Sequence, residues 1–412
     1  MHIDKVISIA RRRRPRLLKL LGVIGIGVGP KIKRAKETSI RAVLVYVREK
    51  RPLGELSRAE RIPKRIDGAP TDVIQVGEAK TRHADELEHR FLNYAKIHRE
   101  LVKGRHGRTP STVNDRDIGN IAVIEDDPAQ SFIIANRRDV DWIGAYNKFR
   151  LTHGDNYDFV TFWSDFEVSC ECGAFYCGLA NPARGINWGA CLAQGRAGWN
   201  SKRLQAFMYF IRDDDAALLQ EIGHHWGAYT GFKYKAGDKQ TNYSICLGNQ
   251  PGHWSSYFDD DASPMDYDES ELKLPSGTSV DWIDNGDGTF SPRRIGQGQY
   301  RFSKLDLYLM GLMSPAGVGE FYLIKNPKPS GKDVRGTRMN LSLDNILLAN
   351  GKRVPTSTSS PKSFTNAFIL LTKNASKATA FAKKIDAVRE RYSRAYGVST
   401  GGRGRVITAL GG

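Results

Sequence analysis

The stretch Ala216-Ala-Leu-Leu-Gln-Glu-Ile-Gly-His-His-Trp-Gly227 constrains the fold of this chain more than any other. Its apolar residues are dense enough for a helix buried on most sides, yet Glu221, His224 and His225 sit among them. A carboxylate or imidazole removed from water needs a partner, or its burial is unfavourable. The fold must therefore bring polar groups or a cation to this helix. Asp213 to Asp215 offer an N-cap and negative charge for the first turn, and Gly227 offers a stop.

Spacing says what such a partner would be. In H-E-x-x-H, two His at i and i+4 share one helix face and reach a zinc ion, and the Glu activates the water on that metal. Glu221 and His224 stand at the second and last positions of that pattern, and Gln220 stands where the first His belongs. A catalytic zinc takes three protein ligands plus water. His224 is the first candidate, and His253 in Gly252-His-Trp-Ser follows before the turn Ala262-Ser-Pro-Met-Asp266. Asp306, on an expected helix over Lys304–Gly311, competes as a carboxylate ligand. His224, His253 and Asp306 would make a three-ligand set, with Gln220 as an orienting group, because a neutral carboxamide is a poorer zinc donor than imidazole. Tyr308 would then offer a hydroxyl to a transition-state oxyanion, or simply fill the core. His225 points about 100° away from His224 and should not share its metal. The plainer alternative is a helix whose Glu221 and His224 bond neighbouring polar groups without a metal.

The remaining chain frames this helix. At 412 residues two domains are expected. Residues 1–110 hold 27 Lys/Arg against 12 Asp/Glu, and residues 350–412 hold 12 against 2, so the net charge of +17 belongs to the ends and the middle is acidic. Basic ends can attract nucleic acid or an anionic membrane, although no nucleic-acid fold signature accompanies them. No stretch reaches the roughly 20 apolar residues of a membrane span. The N-terminus has Arg11–Arg14 before Leu17–Val28, but Lys19 breaks the apolar run and no small-residue cleavage site follows. It reads as a basic arm, which implies a cytoplasmic or non-classically exported protein. Five Cys exclude complete pairing within one chain, and Cys170, Cys172, Cys177, Cys191 and Cys246 are expected as buried free thiols, with disulfides only in an exported protein.

Pattern divides the chain into a basic arm (1–20), a small sheet domain (21–78), a helical linker (79–112), a large domain (113–350) and a basic C-terminal segment with one helix and a flexible end (351–412). Gly25, Gly27 and Gly29 alternate as strand glycines do and lack a phosphate-loop pattern. Further strands are expected at Ile40–Val47, Val73–Val76, Ile118–Ile124, Ser131–Ala135 and Tyr157–Trp163. Helices are expected at Lys202–Phe210, from Asp215, and at about Ser376–Tyr396. Asp284-Asn-Gly-Asp-Gly-Thr-Phe290 predicts a hairpin rather than a calcium loop. Asp259–Asp261 with Asp266, Asp268, Glu269 and Glu271 forms an acidic stretch, read as a solvated loop, with Ca²⁺ or basic peptides as alternative ligands.

Two resemblances attach to these motifs. Val23–Lys31 and Ile62–Val73 resemble the accessory N-terminal segment of certain trypsin-like serine peptidases, without a serine-peptidase core after it. The ordered series from Gly119-Asn-Ile-Ala-Val-Ile-Glu-Asp126 through Glu221-Ile-Gly-His224, Gly252-His-Trp-Ser255 and Asp284–Phe290 to Phe302–Leu312 resembles a family of bacterial zinc metallopeptidases of the zincin type. That resemblance covers about 118–325. It implies an α+β protein, a zincin-like domain beside a small β-rich α/β domain. It also implies zinc as cofactor, a peptide or protein substrate, Glu221 as general base, His224 as ligand, and His253 and Asp306 as further ligands. Gln220 departs from the family's first His. Two functions therefore stay open, a zinc-dependent peptidase and a catalytically inactive zincin-like binding protein.

Overall fold

The structure, a computed structural model, describes residues 3–17, 23–33, 36–47, 61–75, 109–135, 138–169, 173–189, 195–211, 215–239, 252–261, 263–266, 279–295 and 299–411, and the single positions 20, 50, 54, 56, 191, 241 and 242. Two compact units, Met1–Thr81 and Arg82–Gly412, divide the chain. The helical linker expected over 79–112 falls largely outside the described residues.

In the first unit, α1 (Ile3–Leu17) accompanies a four-stranded sheet of order β1-β2-β4-β3, with β1 (Val23–Lys33), β2 (Lys36–Val47), β3 (Arg65–Ile66) and β4 (Ala69–Gln75). The glycines of β1 serve close packing: a Cβ on Gly29 would lie 2.9 Å from Leu44 Cδ1, and one on Gly27 would lie 3.0 Å from the Tyr46 ring. The expected basic arm is instead a helix. Val6, Ile9, Ala10 and Leu17 recur at helical spacing and are buried with Val43, Val45 and Val47 of β2. Arg12 and Arg16 are exposed, and Arg13 and Arg12 both donate to Asp67 and hold its carboxyl well below the usual range.

The second unit is a mixed α+β body. Its main sheet contains β5 (Arg116–Ile118), β6 (Ile121–Glu125), β9 (Phe159–Ser164), β10 (Ala174–Gly178), β11 (Ala206–Phe210), β16 (Ser363–Thr372) and β17 (Arg405–Ile407). The order is β10-β11-β9-β16-β6-β5, with β17 also paired to β16. β11, β9, β16 and β6 run parallel, and β10 and β5 add antiparallel edges. Parallel strands are covered on both faces, and here alternate residues feed two cores. Phe159, Trp163, Met208, Phe368 and Leu370 face one core, and Val160, Phe162, Phe207, Ile369 and Leu371 face the other. The second face is covered by α2 (Trp142–His153) through Trp142, Ile143, Tyr146 and Phe149. The first face is covered by α3 (Asp215–Gly223), α4 (Lys304–Leu309) and α6 (Thr379–Ser399).

A short strand pair, β7 (Ile133–Ile134) and β8 (Asp139–Val140), precedes α2. A separate antiparallel sheet has order β12-β13-β15-β14, from β12 (Ser279–Asp284), β13 (Thr289–Ile295), β14 (Glu320–Ser330) and β15 (Asp333–Ser342), after which α5 (Leu343–Asn350) follows. The Asp284–Phe290 hairpin is present. The segment 252–261 lies along β14, with Ile324 N donating to Tyr257 O (2.9 Å) and Asp259 N to Tyr322 O (2.9 Å).

Three further expectations change. Lys202–Phe210 is not a helix: Ala206-Phe-Met-Tyr-Phe210 is strand β11, buried along its whole length because its side chains enter both cores in turn. The C-terminal segment is not an appendage, since β16 lies between β9 and β6 at the centre of the sheet. Its expected flexible end is held by Thr400 Oγ1, which donates to Tyr396 O (2.8 Å), and by the β17–β16 pairing. Cys177 and Cys191 form a disulfide with Cα atoms 5.5 Å apart, against the expectation of free thiols. Cys170, Cys172 and Cys246 lie outside the described residues. Among the described residues no helix is long and apolar enough to cross a membrane.

Candidate functional site

Helix α3 ends at Gly223, and the chain continues as tight turns in which His224 N donates to Gln220 O (3.1 Å) and Gly227 N to Gly223 O (2.9 Å). Buried leucines at 218 and 219 and Ile222 fix one face of the helix to the core. Gln220, Glu221 and His224 are each buried with only 8 % of their surface exposed. A Cβ on Gly223 would lie 2.3 Å from Met265 Sδ, so the turn that carries Met265 packs directly beneath the end of the helix.

The structure brings His253 to His224, with ring centroids 4.9 Å apart and planes at 82°. Gly252 makes this approach feasible. Its φ is +90°, and a Cβ there would lie 3.3 Å from both Cε1 and Nδ1 of His224. Burial first, and the neighbouring His253 imidazole second, push the His224 pKa well below the usual value, leaving the ring neutral. That is the form that binds metals. Nε2 of Gln220 is buried with no hydrogen-bond partner among the described residues, and Nδ1 of His224 has none of normal geometry, only the Gly252 backbone lying near enough to favour a protonated ring. Such orphaned groups are uncommon and call for a missing partner. Glu221, desolvated by burial, has its pKa raised to about 8 and is protonated at neutral pH.

His225 contrasts with its neighbour. Its Nε2 lies 3.0 Å from Gln205 Oε1, an oxygen that only accepts, so Nε2 carries the hydrogen. Nδ1 is then free to accept from the Tyr176 hydroxyl at 2.8 Å. Gln205 Nε2 in turn donates to Asp158 Oδ1 (3.3 Å). Burial pushes the His225 pKa down to about 3. The ring is a neutral link between the turn after α3 and the sheet.

Asp306 does not join the histidines. Its carboxylate accepts from Trp254 Nε1 (2.8 Å), Ser263 Oγ (2.6 Å) and Ser303 N (2.9 Å), and Ser303 Oγ closes a capping box by accepting from Asp306 N. The expected ligand is a structural clasp that ties α4 to the segment around Trp254 and Ser263. Tyr308 is a core residue whose hydroxyl accepts from Arg353 N (3.0 Å). Two groups not singled out from the sequence do stand near the site: the rings of Tyr176 and Tyr229 lie 6.2 Å and 6.4 Å from that of His224. Tyr229 also donates to His224 O (2.9 Å), closing the turn. Tyr176 could have been suspected only by recognising β10, whose alternation puts Tyr176 on the same sheet face as α3.

Among the described residues, no three His, Cys, Asp or Glu side chains converge as a set able to hold a metal ion. The arrangement instead offers two adjacent imidazoles, a buried carboxyl and a buried carboxamide with an unused amide nitrogen. These donors fit a zinc ion only if the Gln220 carboxamide oxygen takes a coordination position beside the two histidines. No protein-family model matches the sequence, and no curated protein is found to be similar to it.

Proposed function

We propose that the larger unit is a zincin-like, zinc-dependent peptidase whose metal is held by His224 and His253, with Gln220 beside them. The observation that carries this reading is the pairing of the buried, neutral His224 imidazole with the half-buried His253 imidazole of a separate segment, beside a helix end that also buries Glu221. Zinc, when bound, supplies Lewis acidity at this point. The peptide substrate rests on the resemblance of the ordered motifs between residues 118 and 325.

The chain's own groups have distinct tasks. In its ionised form the Glu221 carboxylate would accept a proton from water and then pass it to the leaving amine, as a general base and then a general acid. A nearby cation favours its ionised form, so zinc would lower its pKa from about 8 towards neutrality, where such a group works best. The Tyr176 ring is held by His225, which Gln205 and Asp158 orient in turn. Met265 and Gly223 set the floor on which the histidine-bearing turn rests.

Metal analysis of the purified protein tests the reading. Near-stoichiometric zinc is expected in the wild type and in Asp306→Asn, with loss in His224→Ala and in His253→Ala. Cleavage of an unstructured protein substrate should disappear in Glu221→Gln while zinc is retained. Wild type that takes up no zinc even after addition would sink the proposal. A second reading, a zincin-like binding protein without catalysis, is favoured by Gln220 in the first ligand place. It expects neither the wild type nor Glu221→Gln to cleave the substrate.

A further inference from the structure

The segment that leaves β10 straps the turn that carries His224. Gly178 ends β10, and a Cβ there would lie 2.4 Å from Trp188 Cζ2, so the chain folds back and lays the Trp188 indole on the strand it has left. The Trp188 ring stands 6.1 Å from that of His225. Two asparagines fasten the strap to carbonyls of the turn: Asn181 Nδ2 donates to His225 O, and Asn187 Nδ2 donates to Tyr229 O (2.8 Å). Asn187 adopts a φ of +55°, a left-handed conformation that asparagine tolerates better than most residues. Tyr229 in turn donates to His224 O (2.9 Å), so strap, turn and histidine are joined in series. The strap closes on itself, because Cys177 of β10 is bonded to Cys191 and Cys191 N donates to Gly178 O (2.9 Å). Cys177 is fully buried, whereas Cys191 is half-buried and Gly189, two residues earlier, is exposed.

We propose that this disulfide is a redox clasp for the His224 turn: intact, it keeps the strap on the turn, and reduced, it lets the strap lift. The middle of the strap is also tied elsewhere, since Arg184 N donates to Val354 O (2.8 Å) and Val354 N to Arg184 O (3.1 Å). The crosslink therefore governs the stretch beyond Arg184, which carries Asn187 and Trp188. A bond between residues 14 apart removes most of the ways in which that stretch can open, and cutting it restores them. The co-reactant is a dithiol. One of its thiolates attacks Sγ of Cys191, the half-buried partner, and the S–S electron pair leaves with Cys177, which takes up a proton. The second thiol of the reductant then displaces Cys191 as a thiol, and the reductant closes its own disulfide. Two electrons and two protons pass to the protein. An oxidising compartment would keep the turn firm and a reducing one would loosen it. The clasp acts on the turn itself and is independent of whether the turn holds zinc.

The test is hydrogen exchange read by mass spectrometry on the full chain, comparing the oxidised protein, protein held in dithiothreitol, and the double variant Cys177→Ala/Cys191→Ala. Amides of residues 224–232 should exchange at least about 10-fold faster in the second and third than in the first. Those of β16, at the centre of the sheet, should keep their rate. The double variant should not respond to dithiothreitol, which separates this bond from the other cysteines. Asn187→Ala removes one fastening and keeps the crosslink, so it should reproduce part of the acceleration in oxidised protein; it replaces the double variant if that does not fold. Equal rates for residues 224–232 with and without dithiothreitol would overturn the proposal. Acceleration of β16 to the same degree would overturn it too, because the bond would then steady the whole unit rather than the turn. So would alkylation that finds Cys177 and Cys191 as free thiols in protein purified without reductant.

Discussion

His224 and His225 are consecutive, both buried and chemically identical, yet their surroundings treat them in opposite ways. His225 has both ring nitrogens engaged, one by Tyr176 and one by Gln205. His224 faces another imidazole, and its Nδ1 has no hydrogen bond of normal geometry among the described residues. A buried polar group whose hydrogen bonds are complete holds the fold together. One left incomplete, at some cost in stability, marks a place where something else binds.

The largest test of that contrast is Asp306→Ala. It strands Trp254 Nε1, Ser263 Oγ and Ser303 N in the interior and should lower stability by about 3–5 kcal/mol in denaturant unfolding, without changing metal content per folded molecule. Next, His225→Ala should cost about 2 kcal/mol more than His224→Ala, because both open a similar cavity but only the first leaves Tyr176 and Gln205 unpaired. Equal losses would break the comparison. Gln220→His sharpens it from the other side: a true first-position ligand should tighten zinc at least about 10-fold, about 1.4 kcal/mol, by competition with a chromogenic chelator.

The smallest effect is spread over pH. Glu221 has its pKa raised on folding, so the stability linked to its protonated form is complete in acid and lost as pH rises towards about 8. Asp259, raised to about 7, adds to the same slope. Metal-free protein should therefore lose stability between about pH 4 and 8, by at most about 1.4 kcal/mol per pH unit for each group. Glu221→Gln should flatten the slope, and an unchanged slope in that variant would remove Glu221 from the account.

Much of the frame was legible from the sequence, because long periodic stretches carry their own signal. The helix from Asp215, the helix at Lys304, the hairpin at Asp284–Phe290 and the glycine strand at Val23 all followed from apolar spacing and turn residues. His253 was one of two candidate partners for His224, beside Asp306. Ala206–Phe210 misled because five apolar residues in a row fit a buried strand as well as a helix, and only its place beside β9 decides between them. Asp306 misled for a related reason. A carboxylate on a helix facing the core has the same pattern whether it meets a metal or caps its own N-terminus, and Ser303 three residues earlier was the available cue. Tyr176 was invisible because its importance comes from β10 lying at the sheet edge beside β11, a fact of topology rather than of spacing.

The late position of β16 has a consequence for how the protein is made. When about 350 residues have been synthesised, β6 and β9 exist but the strand that must lie between them does not. The two halves of the main sheet wait with open hydrogen-bonding edges, a condition that invites strand exchange with another chain and recruits chaperones. The larger unit can close only once residues 363–372 have left the ribosome, so translation stalled before that point yields a chain fit for degradation rather than a shorter working protein.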